Sequence, residues 1–174
     1  MIEAPLMSIP QKLRSVAKRI AKDSLFGRRI PAAYRAAAQA PVDPRKVVFL
    51  ENKDDDLPDS FALVERYARE RYGLDTVFIS LHETSVPRTR YFENCVAAAR
   101  EIATARYVFL NDASQLASCL PLRPETKIAQ LWHACGAFKK WGMSTAGLAF
   151  GGTREELLRH PYYGNLSLVT VSSP

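Results

Sequence analysis

Residues 128–144 read Ile-Ala-Gln-Leu-Trp-His-Ala-Cys-Gly-Ala-Phe-Lys-Lys-Trp-Gly-Met-Ser and concentrate chemically capable side chains. His133 titrates near neutral pH and can take a proton from a hydroxyl nucleophile. Lys139 and Lys140 can hold anionic groups. Between them, Ala134, Cys135 and Gly136 form a small-residue turn. A histidine, such a turn and two cations suit a phosphate-bearing substrate. Cys135 also offers a nucleophile, but no second histidine stands near it in sequence, and a small turn residue is the simpler reading. The competing role for His133 is a structurally satisfied histidine at a strand end.

Other candidates are weaker. Asn111 and Asp112 follow an apolar run, Tyr107-Val-Phe-Leu, and fall where ligands sit in open parallel sheets, beyond the carboxyl end of a strand. Capping the next helix is the alternative for both, and the simpler one. The acid triplet Asp54–Asp56 reads as a solvated loop that caps the helix after it. His82, with Glu83 beside it, reads as an exposed loop histidine. Gly151-Gly152-Thr153 opens a short helix and can hold a phosphate at its N-terminus, while Thr153 and Glu156 have capping-box spacing.

The elements that must position these residues alternate along the chain. Apolar runs at 46–51, 75–80, 106–111, 127–132 and 166–171 predict five strands. Helical spacing over 59–72, 89–103, 113–119 and 154–159 predicts the helices between them. Such βαβ units imply a parallel sheet covered on both faces, so the fold class is α/β, a Rossmann-like parallel sheet of about five strands. His133 then falls at the crevice end of the fourth strand. Neither G-x-G-x-x-G nor G-x-x-x-x-G-K-[ST] occurs, which excludes the dinucleotide and P-loop fingerprints.

A basic helical arm, residues 1–43, precedes the sheet domain, residues 44–174. Residues 1–47 carry ten Lys/Arg and three acids, a balance of +7 against +6 for the whole chain, so the basicity belongs to the arm. Pro10 starts a helix running to about Leu25, with Leu13, Val16, Ala17, Ile20, Ala21 and Leu25 at helical spacing. Lys12, Arg14, Lys18, Arg19 and Lys22 supply its cations. This pattern suits an interfacial helix on anionic headgroups, or a helix packed on its own domain with a solvated basic face. Phe26-Gly27-Arg28-Arg29-Ile30-Pro31 is expected to break it before a second short helix at 32–40. Without aromatic interleaving in the arm or a basic domain behind it, nucleic acid is not the expected partner. Three cysteines without C-x-x-C spacing suggest neither a disulfide framework nor a thiolate metal site, and they fit a reducing cytoplasm. No metal or cofactor is implied. No apolar run approaches a membrane span, and the N-terminus lacks the apolar core of a signal peptide.

The stretch Gln130-Leu-Trp-His-Ala-Cys-Gly-Ala-Phe-Lys-Lys-Trp-Gly142 resembles the Trp-His motif of the CDP-glycerol glycerophosphotransferases, the teichoic acid polymerases and primases. Tyr107–Asp112 upstream and Val169–Pro174 downstream match the same pattern, and the resemblance covers roughly residues 44–174. It implies the N-terminal half of a GT-B architecture. It also implies transfer of glycerol phosphate from CDP-glycerol to a hydroxyl of a lipid-linked acceptor, with release of CMP. The motif histidine, as base for the acceptor hydroxyl, maps onto His133. Trp132, Gly136, Lys139, Lys140, Asn111 and Asp112 become the expected substrate-binding set. The resemblance further implies an N-terminal region that meets the membrane, hence a peripheral location on its cytoplasmic face. In the family the donor is held mainly by a C-terminal half with a second histidine. The 174 residues are therefore expected to represent the N-terminal part and not to turn over CDP-glycerol alone. The alternatives are a non-catalytic membrane-surface module and half of a sugar-nucleotide-dependent GT-B glycosyltransferase.

Overall fold

The computed structural model describes residues 11–132, 140–148 and 152–171. Five strands form one parallel sheet: β1 Asp43–Glu51, β2 Asp75–Ser80, β3 Ala105–Leu110, β4 Lys127–Gln130 and β5 Leu168–Val169. Their spatial order is β2-β1-β3-β4-β5, and every pairing is parallel. The chain therefore winds outward from β1 to β2, crosses back over β1 to β3, and continues to the far edge. This is the doubly wound order 2-1-3-4-5, whose direction reverses between β1 and β3, the place where such sheets open a crevice.

Register explains the strand composition. Val77, Val48, Val108 and Ile128 stand level across four strands. Their row faces α4 (Arg88–Ile102) and α5 (Gln115–Cys119), together with the helices ahead of the sheet, and the large core lies there. On the other face Val47 and Phe49 meet Phe61 of α3 (Asp59–Glu70), with Phe49 edge-on to Phe61 at 5.2 Å and stacked on Phe109 at 5.1 Å. β1 is buried on both faces and reads as a continuous apolar run. β5 is exposed at the sheet edge and spans two residues rather than the six expected.

The arm differs from expectation at its break. Helix α1 runs Gln11–Ser24 and passes without interruption through a π-helical turn, Leu25–Arg29, into α2, Ile30–Ala37. Pro31 has no N–H and would collide with the carbonyl one turn back in an α-helix. The wider turn relieves both problems: the Ile30 N–H reaches Leu25 O, five residues back, and Pro31 then falls in the first turn of α2, where proline is tolerated. Leu25, Phe26, Ile30 and Tyr34 are buried in the same core as the sheet, and the Tyr34 hydroxyl accepts from the Arg123 backbone N–H at 3.2 Å. α1 behaves otherwise. Leu13, Val16 and Ile20 are 58%, 42% and 61% exposed. Among the described residues no helix is long and apolar enough to cross a membrane.

Candidate substrate cleft

The crevice at the β1/β3 reversal is built on one buried acid that sequence reasoning overlooked. Glu51 ends β1, and its carboxylate accepts from the backbone N–H groups of Asn52 and Lys53 at 2.9 and 3.0 Å and from Asn111 Nδ2 at 2.8 Å. The Ser60 hydroxyl donates to Asn111 Oδ1. Asn111 is thus a buried strut joining β1, β3 and α3, and it forms the floor of a hollow of about 280 Å³ shared with Lys53, Asp54 and Asp112. Asp112 turns its carboxylate to the next backbone N–H, Ala113, at 2.7 Å. Neither residue caps α5, contrary to expectation. Ser114 does so, accepting from the Ala117 N–H at 3.2 Å, because only its side chain stands three residues before that donor.

A larger cleft of about 350 Å³ adjoins this floor. Asn52, Lys53 and Asp112 supply the sheet side, Lys140 to Gly142 the wall after β4, and Tyr162 and Tyr163 the wall before β5. Within the expected site, the structure brings Asp112 and Lys140 into one cavity, and Asn111 lies beneath the adjoining hollow. Trp132 leaves β4 with φ +65, and its ring packs 6.1 Å from Trp141 and 6.2 Å from Tyr163. His133, Gly136, Lys139 and Cys135 lie outside the described residues.

The Lys140 wall is held by short-range hydrogen bonds. The Ser144 hydroxyl accepts from the Trp141 N–H at 2.9 Å, and Thr145 Oγ1 donates to Gly142 O at 2.7 Å, closing the 3-10 turn Gly142–Thr145. Gly142 has φ +54, and a Cβ built on it would stand 2.5 Å from Tyr163 Cε2. Only glycine lets this wall and the tyrosine approach so closely.

The cleft mixes charges. Lys53 and Lys140 suit phosphate oxygens, whereas Glu83 and Asp112 suit hydroxyls. Glu83 remains exposed as a residue, yet crowding at the cleft wall strips water from its carboxyl and raises its pKa, with Lys53 opposing. Burial likewise raises the Tyr163 phenol, keeping it a neutral donor. Trp141 and Tyr163 add aromatic surface on which a ring can lie. Cys95 and Cys119 take no part: both thiols are free and pushed up to about 12 by burial. Among the described residues no cluster of His, Cys, Asp and Glu could hold a metal ion.

Two other sequence expectations resolve differently. The triplet Asp54–Asp56 does not cap α3, whose cap position is Pro58 without a side-chain bond. Instead Asp55 pairs with His82 Nδ1 at 2.7 Å, an exposed link between the loops after β1 and β2. Thr153 and Glu156 do form the expected capping box on α6, Arg154–Arg159. The tyrosines at 162 and 163 escaped notice because a Pro-Tyr-Tyr-Gly turn signals only a reversal, and their partner in the cleft is about twenty residues away. The arm also reaches this end of the molecule. His160 Nε2 meets Asp23 Oδ1 at 2.6 Å, and Lys22 Nζ lies over the Tyr162 ring at 5.9 Å.

Comparison with known proteins accords with the motif. The chain is 32% identical over 165 residues to a teichoic acid ribitol-phosphate primase of Bacillus spizizenii, a match covering 93% of this chain and 41% of that protein. It is 29% identical over 142 residues to a teichoic acid poly(ribitol-phosphate) polymerase of the same organism, covering 81% of this chain and 22% of the polymerase. The chain thus spans less than half the length of these curated relatives. A solved structure of the wall teichoic acid polymerase TagF aligns with a TM-score of 0.48 at 15% identity, over 85% of this chain and 38% of that one. The family model for CDP-glycerol:poly(glycerophosphate) glycerophosphotransferase matches residues 32–174, a span that takes in the whole sheet and both cleft walls. The chain belongs to that family.

Proposed function

We propose that this chain is the acceptor-side part of a transferase that moves glycerol phosphate from CDP-glycerol to a hydroxyl of a lipid-linked acceptor, releasing CMP, in teichoic acid synthesis. The family match over residues 32–174 carries the reading. It is supported by a cleft at the carboxyl ends of the strands in which two lysines oppose two carboxylates beside aromatic surface. In this reading His133 takes the acceptor proton as its oxygen attacks phosphorus and the CMP oxygen leaves. Trp132, Gly136 and Lys139 complete the acceptor side with Lys140 and Asp112, over the Asn111 strut. The domain is the N-terminal half of a GT-B architecture, and the donor is held mainly by a C-terminal half.

The reading includes a membrane surface. α1 would lie on the cytoplasmic face with Leu13, Val16 and Ile20 in the interface and its exposed cations Lys18 and Arg19 toward anionic headgroups. The exposure of that apolar stripe supports it. Lys22 is half-buried against Tyr162, so it would contribute least to such a layer.

The test replaces His133 by alanine in the full-length protein and follows CMP release from CDP-glycerol with a lipid-linked acceptor. A general base contributes roughly 10²–10⁴-fold. A loss below about tenfold would return His133 to a structural role. A second reading keeps the mechanism but makes the transferred group ribitol phosphate. It is favoured by the ribitol-phosphate enzymes among the relatives. Offering both CDP-polyols in the same assay separates the two.

A further inference from the structure

Outside the cleft, α1, α6 and the start of α4 line a second cavity of about 320 Å³ that the transfer step leaves unused, although two of its cations, Lys18 and Arg19, also belong to the membrane-facing set. Its acids are already engaged. Asp23 is held by His160 at 2.6 Å and by Arg159 at 3.6 Å, and Glu156 accepts from the Thr153 N–H at 3.1 Å. Arg159 itself pairs with Glu155 at 2.6 Å. The remaining cations that line the groove are Lys18, Arg19, Lys22 and Arg88, and none forms an ion pair with a described residue. Arg88 opens α4, so the positive end of that helix lies at the groove, and its guanidinium is steadied over the Phe92 ring at 5.2 Å.

We propose that this groove binds a diphosphate group. Four cations without paired carboxylates, converging from two helices, match a multiply charged anion better than a single carboxylate, and the arginines add forked donors suited to phosphate oxygens. The space exceeds what one phosphate fills. Lys22 is the most telling member. It is half-buried, its ammonium rests over the Tyr162 ring, and burial lowers its pKa. A bound anion would offset that desolvation, which Glu156 and Asp23 nearby do only in part. Tyr162 also lines the cleft, so a ligand anchored by its diphosphate in the groove could extend the group it carries past this ring toward Asp112 and Lys140. The inference stands on the groove itself and survives failure of the transferase reading.

The test titrates inorganic pyrophosphate into the purified chain by calorimetry. Saturable binding is expected, weakened at least tenfold by Arg88→Gln and by Lys22→Gln, while Leu13→Ser/Ile20→Ser leaves it unchanged. Arg88 is exposed, so its replacement does not put folding at risk, and thermal melts check the Lys22 variant. No saturable binding, or binding that both charge variants leave intact, overturns the proposal. Neutral phosphatidylcholine vesicles with and without a polyprenyl diphosphate identify the source. Capture that depends on that lipid and is competed by pyrophosphate supports a lipid-borne ligand. Binding of free pyrophosphate without capture supports a soluble one.

Discussion

The two halves of the N-terminal helical region share a basic, amphipathic sequence and meet opposite fates. Between Leu25 and Tyr34 the large apolar side chains Leu25, Phe26, Ile30 and Tyr34 are buried under the sheet, with Leu25 and Ile30 at 0% exposure. From Leu13 to Ile20 side chains of the same type face solvent. Periodicity is equal in both, so it reports that a helix has an apolar side and not what covers it. The covering is decided by distance from the sheet. The π turn and α2 lie against α4 and α5, whereas α1 projects past them and touches the body through its last turn, at Lys22 and Asp23.

The largest test of this contrast is a matched pair. Ile30→Ala should cost about 2–5 kcal/mol in urea unfolding, and Ile20→Ala should stay within about 0.5 kcal/mol. Equal costs would mean that α1 is packed on the domain after all. Next in size, Leu13→Ser/Ile20→Ser should reduce co-sedimentation with anionic phosphatidylglycerol vesicles by about tenfold or more without moving the melting temperature. Retained binding would separate the exposed stripe from any membrane. A smaller effect is expected at the junction. Gly27 is exposed in helical backbone with nothing within 4 Å of a built Cβ, so Gly27→Ala should stabilise by about 0.4–1 kcal/mol. Destabilisation there would show that the π turn needs a backbone freedom its geometry does not display.

The smallest effect concerns the tether of α1 to α6. The hydrogen bond from His160 holds the Asp23 carboxyl below the usual carboxylate range, with Arg159 adding to it. A depressed folded-state pKa favours the ionised form in the native protein. Its contribution is therefore complete above the ordinary carboxylate range and fades as pH falls through the lowered value. Wild type and Asp23→Asn should differ slightly in urea midpoint at neutral pH and converge in acid. A gap independent of pH would assign Asp23 to packing alone.

Legibility followed the same division between local and long-range causes. The first four strands were readable because a short, continuous apolar run between polar loops fits a strand buried on both faces. The doubly wound order then placed the crevice. The capping box on α6 was readable because both partners sit within four residues. Glu51 was not, since an acid at a strand end looks solvated until Asn111, sixty positions away, is seen to donate to it. The Asp55–His82 pair and the Trp132–Trp141–Tyr163 cluster were hidden for the same reason. The Phe26–Pro31 segment misled in the other direction. Glycine and proline signal a stop, but a one-residue widening of the turn satisfies both and leaves the helix running.

That widening also sets a phase. Each residue in an α-helix advances the side chains by about 100° around the axis. The π turn absorbs one residue between a buried anchor, Ile30, and a free amphipathic segment, α1. Deleting Gly27 and replacing Pro31 by alanine, so that no proline ring opposes a regular α-helical turn, would rotate everything before the turn by about that angle relative to the core. Leu13, Val16 and Ile20 would swing away from their present outward heading, and Lys22 would leave the Tyr162 ring. One backbone irregularity thus acts as an indexing mark, fixing at once which way the apolar stripe looks and which cations enter the groove.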